Sequence, residues 1–86
     1  MNTYLGKVTV IAGEYETVCT FRFKTESDPD KYLDRIAKDW YGSKPEKYLG
    51  AYCFDAGCVA VRPNRWKEIP QEQYETLAGF INEIRV

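Results

Sequence analysis

The chain has 86 residues, of which 44% are hydrophobic and 15% aromatic, so it can build one core and is too short for two domains. Lys and Arg number 12 and Asp and Glu 13, and the net charge of -1 excludes a strong field for gathering nucleic acid or anionic lipid. The N-terminal run lacks the apolar core of a signal peptide, and no stretch approaches the roughly 18 apolar residues of a membrane span. We therefore expect a cytoplasmic protein without a membrane partner.

The first half begins with two alternating segments. Residues 3–12 carry Tyr4, Val8 and Val10 on one side, which predicts a strand. Gly13 can supply the positive φ of a tight turn, and residues 15–25 alternate again. One side of this second strand carries Tyr15, Thr17, Cys19, Phe21 and Phe23, and the other carries Glu16, Thr20, Arg22 and Lys24. The pattern predicts a hairpin with one polar face.

A helix follows the hairpin. Asp28 can cap free backbone amides, and Pro29 is tolerated at the first helical position because no amide is needed there. Gly42 is the residue type that most readily adopts a left-handed C-terminal cap. The sequence therefore predicts one amphipathic helix from Pro29 to about Gly42, with an apolar stripe of Leu33, Ile36, Ala37 and Trp40.

The second half repeats this order. Residues 43–50 have no period, which predicts a loop with Tyr48 exposed, and residues 51–54 and 58–62 flank Gly57 as a second hairpin. Pro63 lacks an amide proton and is predicted to end the fourth strand. A second helix then begins at Pro70, with an apolar stripe of Tyr74, Leu77, Ala78, Ile81 and Ile84.

These elements predict an α+β fold in a single domain, residues 1–86. The order is ββαββα, with a four-stranded antiparallel sheet and both helices packed on one face. A shift of 41 residues aligns Pro29 with Pro70 and Leu33 with Tyr74, which fits a ββα repeat of residues 3–42 and 51–86, although amphipathic helices also produce such matches by chance.

No catalytic motif is present. The chain has no His, the commonest base for a Ser or Cys nucleophile, and no phosphate-binding glycine motif. Cys19, Cys53 and Cys58 are odd in number and irregular in spacing, which disfavours zinc and favours reduced thiols. Cys53 and Cys58 could still face each other across the second hairpin. We expect no enzyme activity, no catalytic residue, no cofactor and no metal site.

Partner binding is the remaining class of function. Basic and aromatic residues cluster in the segment 62–67, where they could recognise a protein or contact phosphates and stack a base. We expect Trp66 to lie in a connection beside Arg62 and Arg65, so that its truncation would weaken binding while leaving the fold unchanged. The candidate partner-binding residues are Arg62, Arg65, Trp66, Lys67, Tyr48, Arg22 and Lys24.

A second candidate surface is the sheet face away from the helices. Leu5, Ile11 and Val18 are expected there among charged and hydroxyl side chains, and an apolar patch with a charged rim is typical of a modest interface. A twofold homodimer could use the same patch, or pair strands across an open sheet edge.

The C-terminal half resembles small proteins of phages and mobile elements. The resemblance lies in residues 52–62, YCFDAGCVAVR, and residues 69–77, IPQEQYETL, about half the chain. Some proteins of this size and origin are anti-CRISPR inhibitors. The resemblance implies a compact inhibitor that binds a host protein or protein complex in the host cytoplasm. It carries no catalytic or ligand signature, and it assigns no functional residue. The alternative is a nucleic-acid-binding accessory protein that uses the segment from Arg62 to Lys67.

Overall fold

A computed structural model describes all 86 residues and shows an α+β fold with a five-stranded antiparallel sheet and two helices. The strands are β1 (Asn2–Ala12), β2 (Tyr15–Thr25), β3 (Glu46–Tyr48), β4 (Ala51–Phe54) and β5 (Val59–Ile69), in the spatial order β2-β1-β5-β4-β3. The helices are α1 (Pro29–Lys38) and α2 (Gln71–Thr76). Neither helix has the length and apolar content needed to cross a bilayer.

The β1–β2 hairpin forms as predicted and supplies four of the ten residues of the buried apolar cluster. Its register pairs Tyr4 with Phe23 and Gly6 with Phe21, so the aromatic residues of both strands lie on one side of the sheet. We call this side the α1 face, because Leu33, Ile36 and Ala37 of α1 pack against it. The other side is the outer face.

Helix α1 begins where the sequence predicts. The Asp28 carboxylate accepts a hydrogen bond from the Asp30 amide at 2.9 Å, and Pro29 occupies the first turn. The α-helix ends at Lys38 rather than near Gly42, and Trp40 packs against the core from the following turn. The helix is anchored across the sheet by Tyr52 of β4, whose hydroxyl donates to Asp34 at 2.7 Å.

The Tyr52 hydrogen bond makes stability depend on pH. Burial, and then the bond and charge of Asp34, raise the pKa of Tyr52 from 10.0 to about 12. Because the folded pKa is raised, this stabilisation is complete below pH 10 and is lost as the pH rises through 12. We expect Tyr52→Phe to flatten the decline in unfolding free energy across this range, measured by urea titration. Tyr48→Phe, at an exposed tyrosine, should leave the wild-type slope unchanged.

The prediction of a loop at residues 43–50 is wrong. Glu46–Tyr48 pairs with β4, and Leu49 and Gly50 form the turn with φ of 50° and 77°. Two successive positive φ values are typical of a type I′ hairpin turn, for which Asn-Gly is preferred. All three residues of this strand are exposed, so it has no alternation of apolar and polar residues by which a strand is predicted.

Leu49 occupies a backbone conformation that suits asparagine better. A left-handed φ costs a residue with a bulky side chain roughly 1–2 kcal/mol, and asparagine adopts it more readily. Leu49 is also 84% exposed, so replacing its side chain removes few packing contacts. We expect Leu49→Asn to raise the unfolding free energy by about 1 kcal/mol in urea titration. A lower stability than wild type would show that Leu49 makes a packing contribution larger than its strain.

The prediction that the fourth strand ends at Pro63 is also wrong. β5 continues to Ile69, because a bulge accommodates the proline: Val8 pairs with Pro63 and Lys7 with Arg65, leaving Asn64 as the extra residue. The β4 pairing stops at Val61, so Pro63 has no neighbour on that side that needs its missing amide proton. Asn64 turns its side-chain amide to the Thr9 hydroxyl at 3.0 Å.

The two helices lie on opposite faces, not on one face as predicted. Tyr74 of α2 packs beside Arg22, whose side chain alternates away from Phe21 and Phe23 and therefore lies on the outer face. Ile69, which pairs with Thr3, completes a small second core there. Both halves thus have a hairpin followed by a helix, but α2 covers only one end of the outer face.

The predicted second helix is shorter than its apolar stripe suggested. After α2 the chain forms a 3-10 turn at Leu77–Gly79 and then becomes extended. The Arg22 amide donates to Asn82 at 2.8 Å, and the Ile84 amide donates to Arg22 at 2.9 Å, so this segment pairs with the outer edge of β2. Ile84 reaches the core on the α1 face. The C-terminal segment therefore wraps around the edge of the sheet.

Candidate binding surface

The part of the outer face that α2 leaves uncovered is the candidate binding surface, which we call the open face. β1, β2 and β5 build it, because strand alternation and the register place one side chain of every two on this side. Its residues are Leu5, Lys7, Thr9 and Ile11 of β1, Glu16, Val18 and Thr20 of β2, and Ala60, Arg62, Arg65 and Lys67 of β5.

The open face is cationic although the chain is slightly acidic. It carries Lys7, Arg62, Arg65 and Lys67 against the single carboxylate of Glu16. Glu16 lies 3.9 Å from Arg62, and both side chains are about half exposed or more, so this pair contributes little. No carboxylate lies within salt-bridge distance of the other three cations.

Two of these cations face each other directly. Lys7 of β1 is the register partner of Arg65 of β5, and Lys67 pairs with Leu5 one step along. Like charges opposite each other on neighbouring strands destabilise a sheet, so this arrangement opposes folding rather than assisting it. The cations border a groove of about 430 Å³ whose lining includes Leu5, Lys7, Thr20, Arg65 and Lys67. An apolar floor with a cationic rim is suited to a partner that presents carboxylates or phosphates.

The structure separates Trp66 from the basic residues with which it was grouped. Trp66 lies within β5 opposite Gly6, so its ring is on the α1 face, where it meets Tyr4 edge-on at 5.4 Å between centroids. Its indole Nε1 donates to Asp30 at 2.6 Å, and the residue is 37% exposed. The prediction that Trp66 lies in a connection is therefore wrong, because β5 does not end at Pro63.

Truncation of Trp66 is expected to destabilise the fold. Trp66→Ala removes the contact with Tyr4 and the bond to Asp30, and we expect a loss of about 2 kcal/mol of unfolding free energy for this partly exposed ring. Trp66→Phe keeps most of the packing and should recover roughly half of the loss. Chemical denaturation of the three proteins provides the measurement. Equal stability for wild type and Trp66→Ala would show that the Trp66 ring does not stabilise the fold.

The remaining candidate residues are divided between structure and surface. Arg22 is 8% exposed, and Lys24 lies beside α2 with its Nζ 5.3 Å from the centre of the Tyr74 ring. Arg22 therefore holds the fold together and is not available to a partner. Tyr48 is 68% exposed on β3, at the far edge of the sheet. Lys7 belongs to the open face but was missing from the candidate residues, although its alternation with Tyr4 and Val8 already placed it there.

The other titratable and thiol groups have structural surroundings. Burial and a hydrogen bond to Glu83 raise the pKa of Tyr74, and bonds from Tyr74 and then Arg85 lower the pKa of Glu83. All three cysteines are free, and Cys53 pairs with Ala60 rather than facing Cys58. No group of three His, Cys, Asp or Glu side chains is arranged to hold a metal ion. Every buried side-chain nitrogen or oxygen has a hydrogen-bond partner.

Comparisons with known proteins returned nothing. No family model, no curated protein and no solved structure matches the chain. The open face is therefore the feature of the chain from which a function is inferred.

Proposed function

We propose that the chain is a non-enzymatic protein-binding module that engages an acidic protein surface through the open face. The observation that carries this proposal is the directly opposed pair Lys7 and Arg65, with Lys67 beside it and no carboxylate within salt-bridge distance. Such a group of cations is unfavourable in the free protein, and a partner's carboxylates would relieve the repulsion on binding.

The apolar residues of the same face support a protein as the partner. Val18 is 49% exposed, and Leu5 and Ile11 are half-buried among the charged groups. A protein interface commonly combines an apolar centre with a polar rim, and Arg is enriched among the residues that contribute most to affinity. The groove beside Leu5 offers a place for an apolar side chain of the partner.

The resemblance of the C-terminal half to small phage and mobile-element proteins suggests which partner to test. We propose a host protein complex of the defence type, including CRISPR-Cas complexes, which the chain would inhibit by covering an acidic surface. The proposal needs no reaction at the site, since the open face is a surface with cations and apolar groups rather than a cavity with paired acids and bases.

Nucleic acid is the second candidate partner, because the same cations could contact phosphates. The Trp66 ring lies on the α1 face, so it does not provide a base-stacking platform beside Arg62 and Arg65. Binding by phosphate contacts alone would be weak and would fall steeply with salt. This reading predicts a mobility shift of single-stranded or duplex DNA at low salt that disappears at high salt.

The test is a pull-down from nuclease-treated bacterial lysate with two baits in parallel, the wild-type chain and the double variant Arg65→Glu, Lys67→Glu. Both substitutions are at exposed positions, so the fold is expected to survive, as circular dichroism would show. Proteins retained by the wild type and lost from the variant, as identified by mass spectrometry, support the proposal. Equal retention by both baits, or a mobility shift with nucleic acid and no retained protein, refutes it.

A further inference from the structure

One edge of the sheet is unprotected. The sheet order leaves β2 at one end and β3 at the other. β3 has only three residues and is preceded by Pro45, and the free side of β5 beyond Val61 carries Pro63, Lys67 and a bulge. Short strands, prolines, lysines and bulges are the features that prevent a sheet edge from pairing with another chain. The stretch 15–21 of β2 has none of them, and its pairing with β1 runs without a bulge.

The direction of the free backbone groups follows from Arg22. Its amide and carbonyl point outward, since they bond to Asn82 and Ile84. Strand geometry then directs the amide and carbonyl groups of Glu16, Val18 and Thr20 outward as well, because alternate residues of a strand bond to the same side. The C-terminal segment pairs with the edge at Arg22, and the hairpin turn ends at Glu14. The open part of the edge is therefore the stretch 15–21, with Val18 at its centre.

From these observations we infer that the β2 edge is a self-association site, where a second copy of the chain pairs its own β2 in antiparallel orientation about a twofold axis at Val18. This inference does not depend on the proposed function, because it concerns the purified chain alone.

The twofold pairing is self-complementary. Val18 meets its counterpart, Glu16 lies opposite Thr20 of the second copy, and Thr17 lies opposite Cys19, so no like charges are opposed. Tyr15 lies opposite Phe21 of the second copy, on the α1 face. Tyr15 is 80% and Val18 49% exposed in the single chain, so the pairing covers two large apolar groups that are otherwise in water. The hairpin turn of the second copy lies beside the point where the C-terminal segment begins to pair with β2. The whole stretch 15–21 is therefore paired.

Self-association through the β2 edge is expected to be weak. Pairing along one short edge buries less than the roughly 1,200 Å² of a standard stable interface, so association should depend on concentration and be clear at millimolar protein. Sedimentation equilibrium should show the weight-average mass rising from 10.0 kDa towards twice this value. A mass that stays at the monomer value at millimolar concentration overturns the inference, because it shows that the β2 edge does not pair with a second copy.

Two variants test the register. Val18→Lys places two ammonium groups opposite each other across the axis, and we expect it to weaken association by at least about 10-fold. Thr20→Lys places an ammonium of each copy opposite Glu16 of the other copy, which gives two favourable charge pairs. We expect it to strengthen association by roughly 2- to 30-fold. The matched control is Tyr48→Lys, an exposed residue at the other sheet edge, which should associate like wild type.

These variants also separate the inference from a general effect of charge. Circular dichroism and the thermal midpoint confirm that each variant is folded before its mass is measured. If Val18→Lys and Tyr48→Lys weaken association equally, or if Thr20→Lys weakens it, the twofold pairing at Val18 is wrong. The binding of an acidic partner to the open face has a separate readout, the pull-down with the Arg65→Glu, Lys67→Glu bait.

Discussion

Arg22→Met is expected to destabilise the protein by about 3 kcal/mol or more and to release the C-terminal segment from the sheet. The guanidinium Nε donates to the Ile81 carbonyl at 2.7 Å and Nη1 donates to the Tyr74 carbonyl at 3.2 Å. It also lies 4.5 Å from the centre of the Tyr74 ring. Methionine keeps the aliphatic stem but leaves both carbonyls without a donor, and each such buried loss costs about 1–3 kcal/mol.

The matched control for Arg22→Met is Lys24→Met. Lys24 lies on the same strand and the same face and is close to the same ring, but it is exposed and donates to no carbonyl. We expect the unfolding free energy of Lys24→Met to stay within about 0.5 kcal/mol of the wild-type value. In hydrogen exchange, the Ile84 amide should lose protection in Arg22→Met alone. Retained protection at Ile84, or equal losses of stability in the two variants, would show that Arg22 does not hold the segment.

Gly6→Ala is expected to cost about 1–3 kcal/mol, although alanine suits a strand better than glycine. A Cβ at this position would lie 2.7 Å from Cε1 of Phe23 and 2.9 Å from Cε2 of Phe21. Neither ring can easily move: both are almost fully buried, and Phe23 is stacked between Tyr4 and Tyr32 with 5.1 Å between centroids on each side. The close approach of β1 to these rings therefore requires glycine.

Gly79→Ala is the comparison that isolates this steric effect. An added Cβ at Gly79 meets no atom within 4 Å, and its φ is not in the left-handed region. We expect Gly79→Ala to be neutral or slightly stabilising, since alanine restricts the unfolded chain. Urea titration of both variants measures the difference. If Gly6→Ala is as stable as wild type, the aromatic cluster has more freedom than its stacking suggests.

Local signals predicted much of the fold. The alternation around Phe21 and Phe23 placed the correct side chains on the α1 face, and Asp28 with Pro29 marked the start of α1. These features depend on residues close in sequence. β3 was missed because its residues are all exposed and show no period, and the continuation of β5 was missed because a bulge at Asn64 accommodates Pro63.

The features that could not be predicted from the sequence depend on contacts between residues far apart in the chain. The apolar stripe of α2 indicated that Tyr74 would be buried but did not show against which face, and Arg22 looked like an exposed cation because its partners, Ile81 and Tyr74, are more than 50 residues away. The predicted site was similarly divided. Arg65 and Lys67 are on the open face, while Trp66, between them in sequence, points to the other side of the sheet. Only the register of β1 with β5 shows that Lys7 joins the two cations.

The most direct test of the open face as the binding surface is the affinity of the captured partner for two double variants of equal charge change, measured by titration calorimetry. Arg65→Glu, Lys67→Glu reverses the open face, and Lys31→Glu, Lys44→Glu reverses two exposed lysines on α1 and in the connection to β3. We predict a loss of about 100-fold for the first pair and less than about 3-fold for the second. Equal losses for the two pairs would contradict the account.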